Sequence, residues 1–113
     1  MRYLCFVYCE NGRLETQSPA ELEACMGEQV DYFAQLQRQG HGIAAHALQP
    51  PETATCVRMR GGRVSITDGP FAETSELFGG FFLIEAKDLN EAIRIAQQMP
   101  AARTDCIEVR PLR

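Results

Sequence analysis

The chain has 113 residues, 45% hydrophobic and 23% charged, which is the make-up of one globular domain with one core and no disordered tail. It sets 11 Lys plus Arg against 15 Asp plus Glu, a formal net charge of -4, and the arginines are scattered, so direct nucleic-acid binding is not expected. No apolar run approaches the ~20 residues of a membrane span, and Tyr3 to Cys9 is too short for a signal-peptide core, so a single cytoplasmic domain over residues 1–113 is expected.

Residues 2–9 alternate Tyr3, Cys5, Val7 and Cys9 with Leu4, Phe6 and Tyr8, leaving neither face polar. The pattern predicts a strand covered on both sides. Asn11-Gly12 turns the chain, and Ser18-Pro19-Ala20-Glu21 presents a capping box with Pro at the first helical position. A helix follows in which Leu22, Cys25, Met26, Gln29, Val30, Phe33 and Leu36 keep a 3.6-residue period up to the stop at Gly40. That stripe reads as core.

Ile43 to Leu48 reads as a second, Ala-rich strand ended by Pro50-Pro51. A hairpin comes next, with Val57 and Met59 on one limb, Val64 and Ile66 on the other, and Gly61-Gly62 as the link. Arg58 and Arg60 face away from these, which gives the hairpin one wet side. Its second limb runs into Asp68-Gly69-Pro70-Phe71-Ala72-Glu73-Thr74, where Asp-Gly and Gly-Pro both signal a turn and Pro70 suits the start of a helical turn lasting to Glu76. In the structural reading, Asp68 bonds backbone N–H groups beyond itself and Phe71 plugs a core edge. In the functional reading, Asp68 and Glu73 mark the mouth of a pocket.

Gly79-Gly80 then opens a strand, Phe81 and Leu83 facing one way and Phe82, Ile84 and Ala86 the other. Asp88-Leu89-Asn90-Glu91 repeats the capping box, and Leu89, Ala92, Ile93, Ala96 and Met99 mark the inner stripe of a second helix ended by Pro100. Cys106 to Arg110 closes the chain as a one-sided strand, with Ile107 and Val109 inward. The five cysteines, Cys5, Cys9, Cys25, Cys56 and Cys106, are odd in number and fall inside regular elements. Most read as small buried hydrophobes, and with no C-x-x-C pair neither a metal nor another cofactor is expected.

The order β-α-β, hairpin, β-α-β is the α+β ferredoxin-like split βαβ pattern with an added β-hairpin. Its central pair is the first strand and the strand before the second helix, the two that are apolar on both faces. Both helices cover one sheet face, so a second copy is expected on the other, as a homodimer of dimeric α+β barrel type.

The segment from Asp68 to Thr74, followed by Glu76, resembles the signature of the YCII-related family in its DGPF branch. Similar flanking pieces are Tyr3 to Tyr8, Leu48 to Thr55, Gly79 to Ile84 and Glu108 to Pro111, so the resemblance runs along the whole chain; Ser75 departs from it, standing where the signature carries Lys. The resemblance implies a small dimeric ferredoxin-like domain. It also implies a catalytic His-Asp pair in the broader family, one member of which dehydrochlorinates an aromatic ring, and an association of DGPF members with extracytoplasmic-function sigma factors. Asp68 is the residue carried over through the matching signature.

Among the residues themselves, Asp68, Glu73, His46 and His41 are the candidates for proton chemistry, with no Ser/His/Asp pattern, P-loop or dinucleotide fingerprint beside them. His41, next to Gly40, reads as solvent-exposed. A carboxylate orienting an imidazole makes a general base, so Asp68 and His46 are the catalytic candidates. A small cyclic or phenolic molecule would be held against Tyr3, Tyr8, Phe81 and Phe82, with Pro70, Phe71 and Glu73 at the rim. The expectation is a small-molecule-binding protein with cofactor-independent lyase or isomerase chemistry at an Asp68 cleft. The alternative is a ligand-sensing accessory module.

Overall fold

The structure, a computed structural model, describes residues 1–10 and 16–113, so the turn expected at Asn11-Gly12 lies outside the described residues. Eight regular elements follow one another: β1 (Arg2–Glu10), α1 (Pro19–Arg38), β2 (Gly42–Ala47), β3 (Thr55–Arg60), β4 (Arg63–Asp68), β5 (Glu76–Glu85), α2 (Leu89–Gln97) and β6 (Cys106–Pro111). Short 3-10 turns at Pro51–Thr53 and Pro100–Arg103 precede β3 and β6.

Alternation in β1 and β5 sets the sheet. Tyr3, Cys5 and Val7 on β1 and Phe82 and Ile84 on β5 fall on one side and are buried beneath the helices. The strand order is β2-β5-β1-β6, antiparallel throughout, with β1 and β5 central as their two-sided patterns require. The ferredoxin-like α+β class read from the sequence is the observed one.

The helix ends behave as their sequences dictate. Ser18 Oγ accepts the Glu21 N–H at the start of α1, and Asp88 Oδ1 accepts the Glu91 N–H at the start of α2, while Glu91 Oε1 accepts the Lys87 N–H in return. On α2 the buried residues are Ala92, Ile95 and Ala96, with Met99 just beyond; Leu89 and Ile93, expected inside, are exposed. The stripe is rotated toward Ile95, and α2 packs against β6. The Tyr32 hydroxyl donates to the Ile95 carbonyl at 2.7 Å and ties α1 to α2. Leu36, Ile84 and Met99 are the largest fully buried side chains, each contributing about 1.5–3 kcal/mol.

Three expectations are corrected. No helical turn follows Pro70: residues 69–75 are irregular and β5 starts at Glu76, ahead of Gly79. Gly69, at φ +102°, makes the reversal that residues with a Cβ disfavour, and its N–H donates to the Ala54 carbonyl at 2.7 Å. The hairpin β3–β4 is wet on both sides, since Val57, Met59, Val64 and Ile66 are all exposed; it forms a separate two-stranded sheet that stands away from the body. Finally, Cys5 alone among the cysteines is fully buried, Cys25 and Cys106 being exposed and none being bridged.

Candidate functional site

A cleft of about 470 Å3 lies between α1 and the helix-covered face of the sheet. Its roof is the stripe the sequence assigns to core: Leu22, Cys25, Met26, Gln29, Val30 and Phe33. Only Leu36, at the far end of that stripe, is buried; Val30 is 65% exposed. The reason lies in the strands below. Opposite the bulky stripe, β2 and the first half of β5 present Ala45, Ala47, Gly79 and Gly80, which cannot reach up to fill the space. Phe33 and Phe82 meet edge to face at 6.0 Å and close the inner end.

Two polar features punctuate this apolar lining. Glu28 on α1 and Arg103 on the Pro100–Arg103 turn form an ion pair, and both line the cleft, so the pair straps the helix to the turn at the cleft wall. Gln17 Oε1 is buried and makes no hydrogen bond among the described residues, although Gln17 also lines the cleft. An orphan amide oxygen costs about 1–3 kcal/mol, which a ligand hydroxyl can recover.

The opposite, helix-free face is aromatic. Phe6 lies 6.3 Å from Tyr8 and 5.4 Å from Phe78, the Arg110 guanidinium sits 5.3 Å over the Phe6 ring, and Arg110 also pairs with Glu108. His46 faces Phe81 across β2 and β5 with the rings 5.8 Å apart. Its exposed imidazole makes no hydrogen bond among the described residues.

The sequence-predicted site residues therefore divide into three places. Tyr3 and Phe82, each 3% exposed, belong to the helix side of the sheet, where Tyr3 is core and Phe82 lines the cleft. Tyr8, Phe81 and His46 carry their rings on the open face; His46 and Phe81 border the cleft from behind. Asp68, Pro70, Phe71 and Glu73 lie at the base of the hairpin and in the strand leading from it. Asp68 pairs with Thr55 through the backbone, and its exposed carboxylate accepts no N–H among the described residues. What closes the turn instead is Ala54, with Cys56 Sγ 3.3 Å from the Gly69 carbonyl. Phe71 plugs no core edge: it is 80% exposed, with Arg58 5.3 Å over its ring. No hydrogen bond joins Asp68 to His46 within the described chain, β2 being paired with β5 alone. His41, expected to be solvent-exposed, is half-buried, and its Nδ1 lies 2.9 Å from the Glu85 carbonyl.

Burial pushes the Cys5 thiol up to about 11, and burial and then the nearby Cys5 push the Tyr32 hydroxyl up. Cys5 is a core group, and Tyr32 is half-buried against the core. The residues that sequence reasoning missed are those of the cleft roof, and the signal for them was the small residues Ala45, Ala47, Gly79 and Gly80 on the strands opposite a bulky stripe. No metal-holding group of His, Cys, Asp and Glu side chains occurs among the described residues, and no helix there is long and apolar enough to cross a membrane.

Comparison with known proteins agrees with this architecture. The fold resembles that of 5-chloro-2-hydroxyhydroquinone dehydrochlorinase from Burkholderia phenoliruptrix AC1100, solved in complex with 2,5-dihydroxybenzoquinone: the TM-score is 0.58 at 12% identity, covering 100% of this chain and 94% of that one. An uncharacterized protein of Rhizobium meliloti (strain 1021) is 42% identical over 67 residues, 58% of this chain and 54% of that protein, so the match spans about half the relative's length. The model of the YCII-related domain matches residues 1–113, and the chain belongs to that family.

Proposed function

We propose that the protein binds a small, mostly apolar cyclic or phenolic molecule in the cleft between α1 and the sheet. The observation that carries this is the unfilled space itself: about 470 Å3, within the usual ~300–1,000 Å3 of ligand sites, walled by apolar side chains with few polar groups. The orphan Gln17 oxygen supplies one acceptor for a ligand hydroxyl, and the Glu28–Arg103 strap supplies an entrance that can open by breaking a surface ion pair worth about 1 kcal/mol or less. The related fold of an enzyme solved with 2,5-dihydroxybenzoquinone supports the same ligand class.

A second reading adds chemistry and rests on His46. An exposed imidazole beside Phe81 can take a proton from a phenolic compound stacked on the open face, with Asp68 as the proposed carboxylate partner, Tyr8 as part of the wall and Pro70, Phe71 and Glu73 as the rim. This is cofactor-independent proton transfer of the lyase or isomerase type. The ligand-sensing alternative shares the cleft and lacks the turnover.

Calorimetric titration with a panel of substituted phenols tests the binding. Saturable binding, weakened at least tenfold by Met26→Glu on the exposed cleft wall, supports the cleft; no binding, or binding that ignores Met26→Glu and Ala45→Leu alike, contradicts it. Mass spectrometry of the phenol after incubation separates the two readings: conversion that His46→Gln abolishes supports the chemistry.

A further inference from the structure

The cleft beneath α1 has a polarity that its size alone does not reveal. Among the described residues that line it, Glu28 and Asp105 set two carboxylates against the one guanidinium of Arg103, a net charge of -1 inside a chain of net -4. That guanidinium is already held by Glu28. The other titratable groups on the lining, Cys25 on α1, Cys9 on β1 and His46 on β2, add no permanent cation. The start of α1, next to Gln17, offers an anion little more. Pro19 has no N–H, the Glu21 N–H goes to Ser18 Oγ at 3.2 Å and the Leu22 N–H to the Ser18 carbonyl at 3.0 Å, so three of the first four positions have no N–H left for a ligand. What the cleft does hold unmet is Gln17 Oε1, a buried acceptor. An acceptor is satisfied by a proton donor, whereas a second lone pair brought up to it repels.

We propose that the cleft selects its ligand by protonation state, taking a neutral aromatic molecule with a hydroxyl proton to give and rejecting the corresponding anion, and that Gln17 sets this choice. The selection rests on the cleft being the ligand site and adds to it the charge and the hydrogen-bonding sense of the ligand. A neutral hydroxyl placed at Gln17 donates to Oε1, while its ring takes the apolar wall of Leu22, Met26 and Phe33. A phenolate or a carboxylate arrives with acceptor lone pairs only. It loses its water among those apolar walls and meets an orphan acceptor, two carboxylates and an arginine that is already paired. A methyl ether is disfavoured for a different reason: it is neutral but has no proton to give, so Oε1 stays unmet.

Calorimetric titration of the full chain with three probes tests this: 4-ethylphenol, its methyl ether, and 4-nitrophenol, whose hydroxyl ionises near neutral pH. The native protein is expected to bind 4-ethylphenol about tenfold tighter than the ether, in line with the cost of an unmet buried acceptor. Its affinity for 4-nitrophenol should fall about tenfold per pH unit once the probe ionises, while that for 4-ethylphenol, still protonated, stays flat over the same range and so reports any titration of Cys9, Cys25 or His46. Gln17→Leu should bring phenol and ether within twofold of each other, and Gln17→Glu, which keeps an acceptor, should restore the preference for the phenol. Equal binding of phenol and ether by the native protein, nitrophenolate bound as well as nitrophenol, or a preference that Gln17→Leu leaves intact overturns the selection. In each of those cases a methyl ether still weakened by Met26→Glu shows that the cleft itself stands. Failure of all three probes to bind removes the cleft as ligand site, and the selection with it.

Discussion

A Cβ on Gly80 would stand 2.8 Å from the carbonyl oxygen of His46, closer than real side chains come. The edge strand β2 can therefore lie against β5 at this point only because residue 80 has no side chain, and the same bare backbone forms part of the cleft floor. Gly80→Ala is expected to cost about 1–3 kcal/mol in urea unfolding, through displaced backbone rather than lost contacts. Gly27→Ala is the opposite case: it sits inside α1 with nothing within 4 Å of the new methyl, so it should gain about 0.5–1 kcal/mol.

The reciprocal bonds of Asp88 and Glu91 predict the cost of losing a helix start. Asp88→Ala removes the acceptor of the Glu91 N–H and should lower stability by about 1 kcal/mol. Asp88→Asn keeps an acceptor and should recover most of that loss, measured by the same unfolding curves.

The buried thiol of Cys5 makes stability fall on the alkaline side. Its folded value of about 11 lies above the 9.0 of a free thiol because burial disfavours the thiolate, so the folded state holds the proton more tightly. The stabilisation is complete below pH 9 and is lost as pH rises from 9 toward 11, to a limit of about 3 kcal/mol. Cys5→Ala should flatten that part of the stability–pH curve. In the native protein, iodoacetamide should label the exposed Cys25 and Cys106 and spare Cys5, as read by mass spectrometry.

Asp68 separates shape from chemistry. Its carboxylate is exposed and bonded to nothing described, so Asp68→Asn should change stability by less than about 0.5 kcal/mol. A loss of turnover on that background would be chemical in origin, and under the proposed pairing it should match the loss from His46→Gln and not add to it.

The fold was legible because its central strands announce themselves. Tyr3 to Cys9 and Phe81 to Ile84 are apolar on both faces, and the capping residues Ser18 and Asp88 start helices where their spacing says. The cleft was hidden by the same logic. Periodicity tells which side of α1 faces the sheet, yet it does not tell how far away the sheet lies; that depends on Ala45, Ala47, Gly79 and Gly80, far along the chain. Phe71 misled for a related reason. An aromatic residue in a tight turn reads as a plug, but here the turn follows the separate β3–β4 hairpin, and Phe71 finds Arg58 instead of a core.

The account's central claim is that the ligand site lies beneath α1, and amide chemical-shift mapping during titration with a binding phenol addresses it most directly. The cleft predicts saturable shifts along Leu22 to Ala34, at Ala45 and Ala47, and at Phe82. Shifts confined to Phe6, Tyr8, Phe78 and the residues around Asp68, with α1 silent, would contradict it.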